Sequence, residues 1–147
     1  MIQHIYTPEN PLTESEKKEL VAFLHEHLEQ YGDSEQDILK AINYALSPEK
    51  NKGGLIITAH YDRLLTGVVV VNITGMEGYI PENILVYIAT HKDYRGTGIG
   101  KKLMKSTIEN TNGSIALHVE ADNPALRLYE KVGFVNKYLE MRLTKYS

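Results

Sequence analysis

The chain has 147 residues, 42% of them hydrophobic and 24% charged, with a net charge of -3 and no cysteine. That length fits one domain with a single core, the missing thiols exclude disulfide staples, thiolate zinc sites and a cysteine nucleophile, and the overall acidity argues against nucleic acid as the main partner. No apolar run approaches a bilayer span and the opening "MIQHIYTPENP" lacks a basic region followed by an apolar core, so a cytoplasmic protein without a membrane partner is expected.

In chain order, the first predicted element is "LTESEKKELVAFLHEHLEQYG". Thr13 with Glu16 three residues later forms a capping box, and Leu20, Phe23 or Leu24, Leu28 and Tyr31 recur on one face before Gly32, which predicts a helix. A second helix follows in "SEQDILKAINYALSP", with Ser34 as cap, Ile38, Leu39, Ile42, Ala45 and Leu46 as its buried stripe, and Pro48 beyond its end. "GGLIITAHYDRLLTGVVVVNIT" is rich in β-branched residues and broken at Asp62-Arg63, which predicts two strands joined by a tight turn. After the loop "GMEGYIPEN", "ILVYIAT" reads as a further strand.

Next comes "YRGTGIGKK", after which Ile99, Leu103, Met104, Thr107 and Ile108 trace a helical face ending at Asn112-Gly113. "SIALHVEA" reads as a strand and "NPALRLYEKVG" as a short helix with Asn123 as cap, Pro124 as its first residue and Gly133 as terminator. "FVNKYLEMRLTKY" reads as strand material closing the chain. The predicted fold is therefore α/β, one domain over 1–147, with a mixed sheet packed between helices. Residues 1–47 supply the N-terminal helices and 55–145 the core.

Charge is unevenly placed. Residues 1–37 hold nine acidic side chains against Lys17 and Lys18, a balance of -7; the remaining ten acidic and fourteen basic side chains give +4. An acidic first segment attracts a cationic ligand and a basic remainder an anionic one.

Gly96, Gly98 and Gly100 raise the question of what must come close to the backbone. A P-loop would need glycine five residues before Gly100-Lys101, where Arg95 stands, and a hydroxyl residue at Lys102. A dinucleotide fingerprint starting at Gly96 would need its third glycine at Lys101. Two readings survive: a strand-loop-helix whose unpaired N–H groups converge on an anion, with Lys101, Lys102 and Lys105 adding positive charge, and a glycine turn that only lets helix and sheet pack closely.

Arg95-Gly96-Thr97-Gly98-Ile99-Gly100 resembles the (Gln/Arg)-x-x-Gly-x-(Gly/Ala) motif of the GNAT superfamily of acyl-CoA-dependent N-acetyltransferases, and "NPALRLYEKVGF" is similar to that family's later helix and strand. The likeness covers about residues 55–145. It implies a mixed, mostly antiparallel sheet with helices on both faces and acetyl-CoA as co-substrate. On it, the backbone of Ile88, Ala89 and Thr90 would pair with the pantetheine arm, the amides of Arg95, Gly96, Thr97, Gly98, Ile99 and Gly100, with Lys101 beside them, would hold the pyrophosphate, and Asn123 would bind the cofactor's amide arm. Tyr129 would be the proton donor to the departing thiolate, with a packing role among Ala125, Leu128 and Val132 as the alternative, while a helix-cap role explains Asn123 equally well.

With no cysteine to carry an acyl group, the implied mechanism is direct attack of an amine on the thioester. "ILVYIAT" carries no glutamate to collect the proton, which leaves Glu82, His118, Glu120 or a water wire. His118 and Glu120 share one strand face but lack a third ligand, so no metal site is expected; His25 and His27 read as polar helix positions. The acidic first helix with Glu26, Glu29 and Tyr31, and the loop from Met76 to Asn83, would border the acceptor, which favours a cationic amine on a small molecule or peptide. The expected assembly is a monomer or homodimer. A non-catalytic acyl-CoA-binding or regulatory domain, and a nucleotide-binding protein using the glycine loop, are the competing functions.

Overall fold

The structure is a computed structural model that describes residues 1–146; Ser147, the last residue of the expected domain, lies outside the described residues. Five strands form one sheet in chain order, β1 (Ile2–Tyr6), β2 (Gly54–Tyr61), β3 (Leu64–Ile73), β4 (Asn83–Thr90) and β5 (Ile115–Ala116). The first four are antiparallel neighbours, and β5 runs parallel to β4. Four helices flank the sheet: α1 (Glu14–His27), α2 (Glu35–Ala45), α3 (Ile99–Glu109) and α4 (Leu126–Lys131). No helix among the described residues is long and apolar enough to cross a membrane.

The central strand explains the layering. In β3 the run Leu65 to Val71 is buried without a break, as befits a strand covered on both faces. Val68 and Val70, with Ile56, Tyr87 and Ala89, pack under α1 and α2, which contribute Leu20, Leu24, Ile38 and Ile42. Val69 and Val71, with Leu55, Ile57 and Leu85, pack under α3 through Ile99, Leu103 and Met104. The helices therefore occupy both faces, and the mixed, mostly antiparallel sheet follows expectation.

Local signals hold for most elements. Thr13 and Glu16 make the reciprocal capping box, and the Ser34 side chain accepts from the Asp37 amide. The β2–β3 turn places Asp62 and Arg63 at φ 47° and 71°, the left-handed pair of a type I′ hairpin. Between Val70 and Val71 the β3–β4 register slips, with Val70 opposite Tyr87 and Val71 opposite Leu85. Val86 is the extra residue of this bulge, which turns Tyr87 to the α1/α2 face.

Several expectations are corrected. β1 went unseen in "MIQHIY", whose five strand residues alternate too briefly to stand out. α1 stops at His27 and a single tight 3-10 turn, Glu29–Tyr31, replaces its expected last turn, because Glu29 takes a left-handed φ of 55°. Leu39 and Ile108, expected in buried stripes, are 38% and 45% exposed, each at the margin of its helix's covered face. The strand expected over "SIALHVEA" is reduced to Ile115–Ala116. α4 begins at Leu126, with Ala125 rather than Asn123 at its cap position, so Pro124 is not its first residue. Residues 134–146, expected as strand material at the end of the chain, form no strand, and no neighbouring strand pairs with them.

Candidate active site

β4 and β5 share only two residue pairs, Asn83 with Ile115 and Ile84 with Ala116. β4 nevertheless continues to Thr90, still paired on its other side, with Val68 opposite Ala89 and Gly67 opposite Thr90. The β5-facing edge of Leu85 to Thr90 therefore carries no ladder, and a cleft opens where the two strands part. Backbone groups on such an edge need partners, which an extended amide-bearing ligand can supply. Ile88, Ala89 and Thr90 lie on this edge.

From Thr90 the chain passes through a short 3-10 turn, Lys92–Tyr94, into the glycine loop and α3. Gly96 and Gly98 have φ 79° and 88°, and a Cβ at either would meet nothing within 4 Å. Their requirement is thus a left-handed backbone beneath open space, which glycine adopts at least cost. Gly98 is the α3 N-cap without a side-chain hydrogen bond, and the first helical bond runs from Lys102 N–H to Gly98 C=O. The preceding amides of Ile99, Gly100 and Lys101 have no intrahelical acceptor, an arrangement suited to an anion. The Thr97 hydroxyl donates to the Tyr94 carbonyl and fixes the loop.

Gly100 serves close packing, as the plainer of the two sequence readings held. A Cβ there would stand 3.0 Å from Leu128 Cδ2 and 3.8 Å from Thr90 Oγ1. The end of β4, the first turn of α3 and α4 therefore meet at one point. Tyr129, next to Leu128, is 7% exposed, with its ring edge-on to Phe134 at 6.0 Å. Its hydroxyl finds no hydrogen-bond partner among the described residues, and burial pushes its pKa up to about 12. Asn123 lies in the turn before α4, where its Oδ1 accepts from the Ala125 amide at 2.9 Å, leaving the side-chain N–H donors free.

Arg95 points elsewhere. Its Nη1 donates to Glu29 at 2.7 Å and its Nη2 to the His27 carbonyl at 2.8 Å, so its guanidinium ties the loop to the end of α1. Lys101, Lys102 and Lys105 are exposed on α3 and make no ion pair among the described residues.

Residues 28–34 form a strap, of which the sequence singled out Glu29 and Tyr31 but not Asp33, and which reaches the glycine loop, the turn before α4 and β4. Glu29 binds Arg95 of the glycine loop, Tyr31 Oη donates to the Asp122 carbonyl at 3.1 Å, and Asp33 Oδ2 accepts from Tyr87 Oη of β4 at 2.5 Å. Burial first, then the Asp33 carboxylate, drives the Tyr87 pKa well upward, so this phenol stays protonated. In the sequence Asp33 only precedes the Ser34 cap and Tyr87 is one position of the run "ILVYIAT", so nothing local marks their pairing. His27 is also corrected: it is buried rather than a polar surface position. Its Nδ1 accepts from the Lys92 amide at 3.1 Å and its ring lies 4.3 Å from that of His91. Desolvation, reinforced by His91, lowers its pKa, so it acts as a neutral acceptor.

The candidate bases separate. Glu82 sits at the start of β4, at the opposite end from Thr90, with its carboxylate accepting from the Ser114 and Gly78 amides at 2.7 and 3.2 Å. Those bonds lower its pKa and place it outside the cleft. His118 and Glu120 are exposed beyond β5.

Comparison with known proteins agrees with this geometry. The profile of the "Acetyltransferase (GNAT) domain" family matches residues 52–136, more than half of the chain. No curated protein matches significantly. Among solved structures, an aminoglycoside 6'-N-acetyltransferase from Acinetobacter haemolyticus superposes with TM-score 0.69 at 18% identity, over 100% of this chain and 99% of that one. A structure described as a transcriptional regulator from Bacillus halodurans gives 0.67 at 20%, over 97% and 100%. An aminoglycoside N-acetyltransferase in complex with CoA gives 0.69 at 13%, over 99% and 96%. With a matching family profile over β2 to β5, the glycine loop and α4, this chain belongs to the GNAT acetyltransferase family.

Proposed function

We propose that the protein is an N-acetyltransferase that moves an acetyl group from acetyl-CoA to a primary amine by direct attack. The observation that carries this reading is the junction at Gly100, where an unpaired β4 edge, a helix end with free amides and α4 converge. Acetyl-CoA fits these residues: the open edge at Ile88, Ala89 and Thr90 suits its amide-bearing arm, and the open space above Gly96 and Gly98 admits a pyrophosphate to the amides of 95–100, with Lys101 adding charge. Asn123 offers its free N–H donors to an amide carbonyl of the arm.

In the reaction a C–N bond forms and the C–S bond breaks; the amine gives up its proton to a water wire, and the thiolate leaves as the anion, held by a hydrogen bond, until it takes up a proton from solvent. A backbone N–H on the β4 edge stabilises the oxyanion. Tyr129, protonated throughout the neutral range, donates a hydrogen bond to the leaving sulfur. The strap brings carboxylates to the acceptor side: Asp33 touches β4 through Tyr87, and Glu26 and Glu29 lie beside it. This favours a cationic amine, on a small molecule or a peptide.

Thiol release, followed with a chromogenic disulfide over a panel of polyamines, aminoglycosides and peptides, tests the reading. Turnover with at least one amine is expected, and Tyr129→Phe is expected to lower kcat by about 10²-fold. A second reading, a non-catalytic acyl-CoA-binding domain, is favoured by one observation: Leu85 to Thr90 carries no carboxylate and Glu82 is held away. Calorimetric binding of acetyl-CoA without thiol release from any amine would select it.

A further inference from the structure

The turn that leads β4 into the glycine loop is held by two imidazoles. His27, the last residue of α1, accepts the Lys92 N–H on its Nδ1 at 3.1 Å, and His91 accepts the Asp93 N–H on its own Nδ1 at 3.1 Å. These are consecutive amides at the start of the 3-10 turn Lys92–Tyr94, where a helix leaves its N–H groups without internal acceptors. The His91 amide donates to the Thr66 carbonyl of β3 and the Tyr94 amide to the His91 carbonyl, each at 2.8 Å. Every amide from His91 to Tyr94 is therefore bound before the chain reaches Arg95. His27 then grips the loop a second time, through its carbonyl, which accepts from Arg95 Nη2 at 2.8 Å.

An imidazole accepts at Nδ1 only while it is neutral and its proton sits on Nε2. A second proton on either ring would stand between Nδ1 and the amide hydrogen it holds, setting donor against donor. The two rings lie 4.3 Å apart, so charging both adds a repulsion between cations. Phe23 of α1 lies 4.5 Å from the His27 ring and Tyr94 meets His91 edge-on at 5.6 Å. Arg95 and Lys92, on the loop side, oppose a charge on His27. Glu26 of α1, 3.7 Å from His27 Nε2, and Asp93, 4.0 Å from His91 Nδ1, favour a cation, but these carboxylates are 62% and 73% exposed and water weakens their pull. Glu29 of the strap is paired with Arg95. Burial, and then the neighbouring His91, holds the His27 pKa below its usual 6.5.

We propose that His27 and His91 are positioning residues for the anion loop: as neutral acceptors they set the entry to Arg95–Gly100, and a proton on either ring releases it and weakens acetyl-CoA binding. The affinity part rests on the reading of that loop as the pyrophosphate site. Binding is then at full strength above pH 6.5 and is lost as pH falls through the lowered value of His27.

Nitrogen NMR of the rings in the ligand-free chain at pH 7.5 is expected to find both with the proton on Nε2. Calorimetry is expected to show acetyl-CoA affinity falling about tenfold for each pH unit below the His27 midpoint. The double variant His27→Gln, His91→Asn keeps two amide oxygens that can accept from Lys92 and Asp93 but cannot titrate. It is expected to bind a few-fold more weakly at pH 7.5 and to keep only the shallow acid dependence of the ligand's own phosphates, whereas His27→Ala binds weakly at every pH. A proton on Nδ1 of either ring at pH 7.5 overturns the proposal, and so does a double variant as acid-sensitive as the parent. A parent that binds no acetyl-CoA at pH 7.5 overturns the cofactor reading instead. Exchange protection of the Lys92 and Asp93 amides without ligand then decides the histidines alone: it is expected to fall between pH 7.5 and 5.0 in the parent and to hold in the double variant, and equal behaviour of the two chains overturns the role.

Discussion

Tyr129 keeps its proton because burial holds its pKa at about 12, some 3.5 units above an ordinary thiol near 8.5. Full transfer to a thiolate is thus uphill on the order of 5 kcal/mol, and a donated hydrogen bond is the role its position supports. Asp33 is the carboxylate that touches β4, so Asp33→Asn is expected to reduce kcat/KM for cationic amines about 10- to 100-fold while the KM for acetyl-CoA stays within about twofold. Steady-state kinetics with each substrate varied in turn checks this. His27 gives a pH signature. Its folded-state pKa lies below 6.5, so the unfolded chain takes up the proton more readily; the stabilisation is complete above pH 6.5 and is lost as pH falls through the lowered value. Denaturant midpoints at pH 7.5 and 5.0 are expected to drop toward acid, and to drop less in His27→Gln, whose amide can still accept from Lys92. Neither Asp33 nor His27 was legible as a working residue, because their partners, Tyr87 and Lys92, lie 54 and 65 positions away.

At the scale of elements, the glycine loop divides its work. Gly96 and Gly98 need a left-handed backbone, whereas Gly100 needs room beside Leu128. Gly98→Ala is expected to lower stability by roughly 1–2 kcal/mol through backbone strain and to weaken acetyl-CoA binding at the same time. Chemical denaturation and calorimetry measure the two effects, and an unchanged affinity would remove the loop from the anion site. The capped helices α1 and α2, the Asp62-Arg63 hairpin and the glycine loop were legible because each is fixed by residues within a few positions. The strands that departed from expectation, β1, β5 and the tail 135–146, are those whose formation rests on a distant or absent neighbour, whereas α1 and α4 departed only at one end. "FVNKYLEMRLTKY" has the alternation of a strand, but alternation alone supplies no hydrogen-bond partner.

Across the whole molecule, two layers of helix around a five-stranded sheet hold the cleft at its parting. α1 reaches that cleft directly through His27, which meets Lys92 and Arg95, and the strap adds contacts to Arg95, Asp122 and Tyr87 that join the acidic half of the chain to the basic half. Arg95→Ala removes a half-exposed ion pair of about 1 kcal/mol or less in stability, yet it also releases the His27 carbonyl. It is therefore expected to raise the KM for the amine more than it lowers the melting temperature. The two-pair seam of β4 with β5 has a mechanical corollary. The sheet is hinged near Ile84, and a ligand lying along Leu85 to Thr90 would act as a rivet, sewing shut a gap that the polypeptide leaves undone. Deuterium uptake at the outward amides of 85–90 and along 117–124 should then slow together when acetyl-CoA is added, and uptake that slows at the glycine loop alone would show that the arm does not lie along the strand.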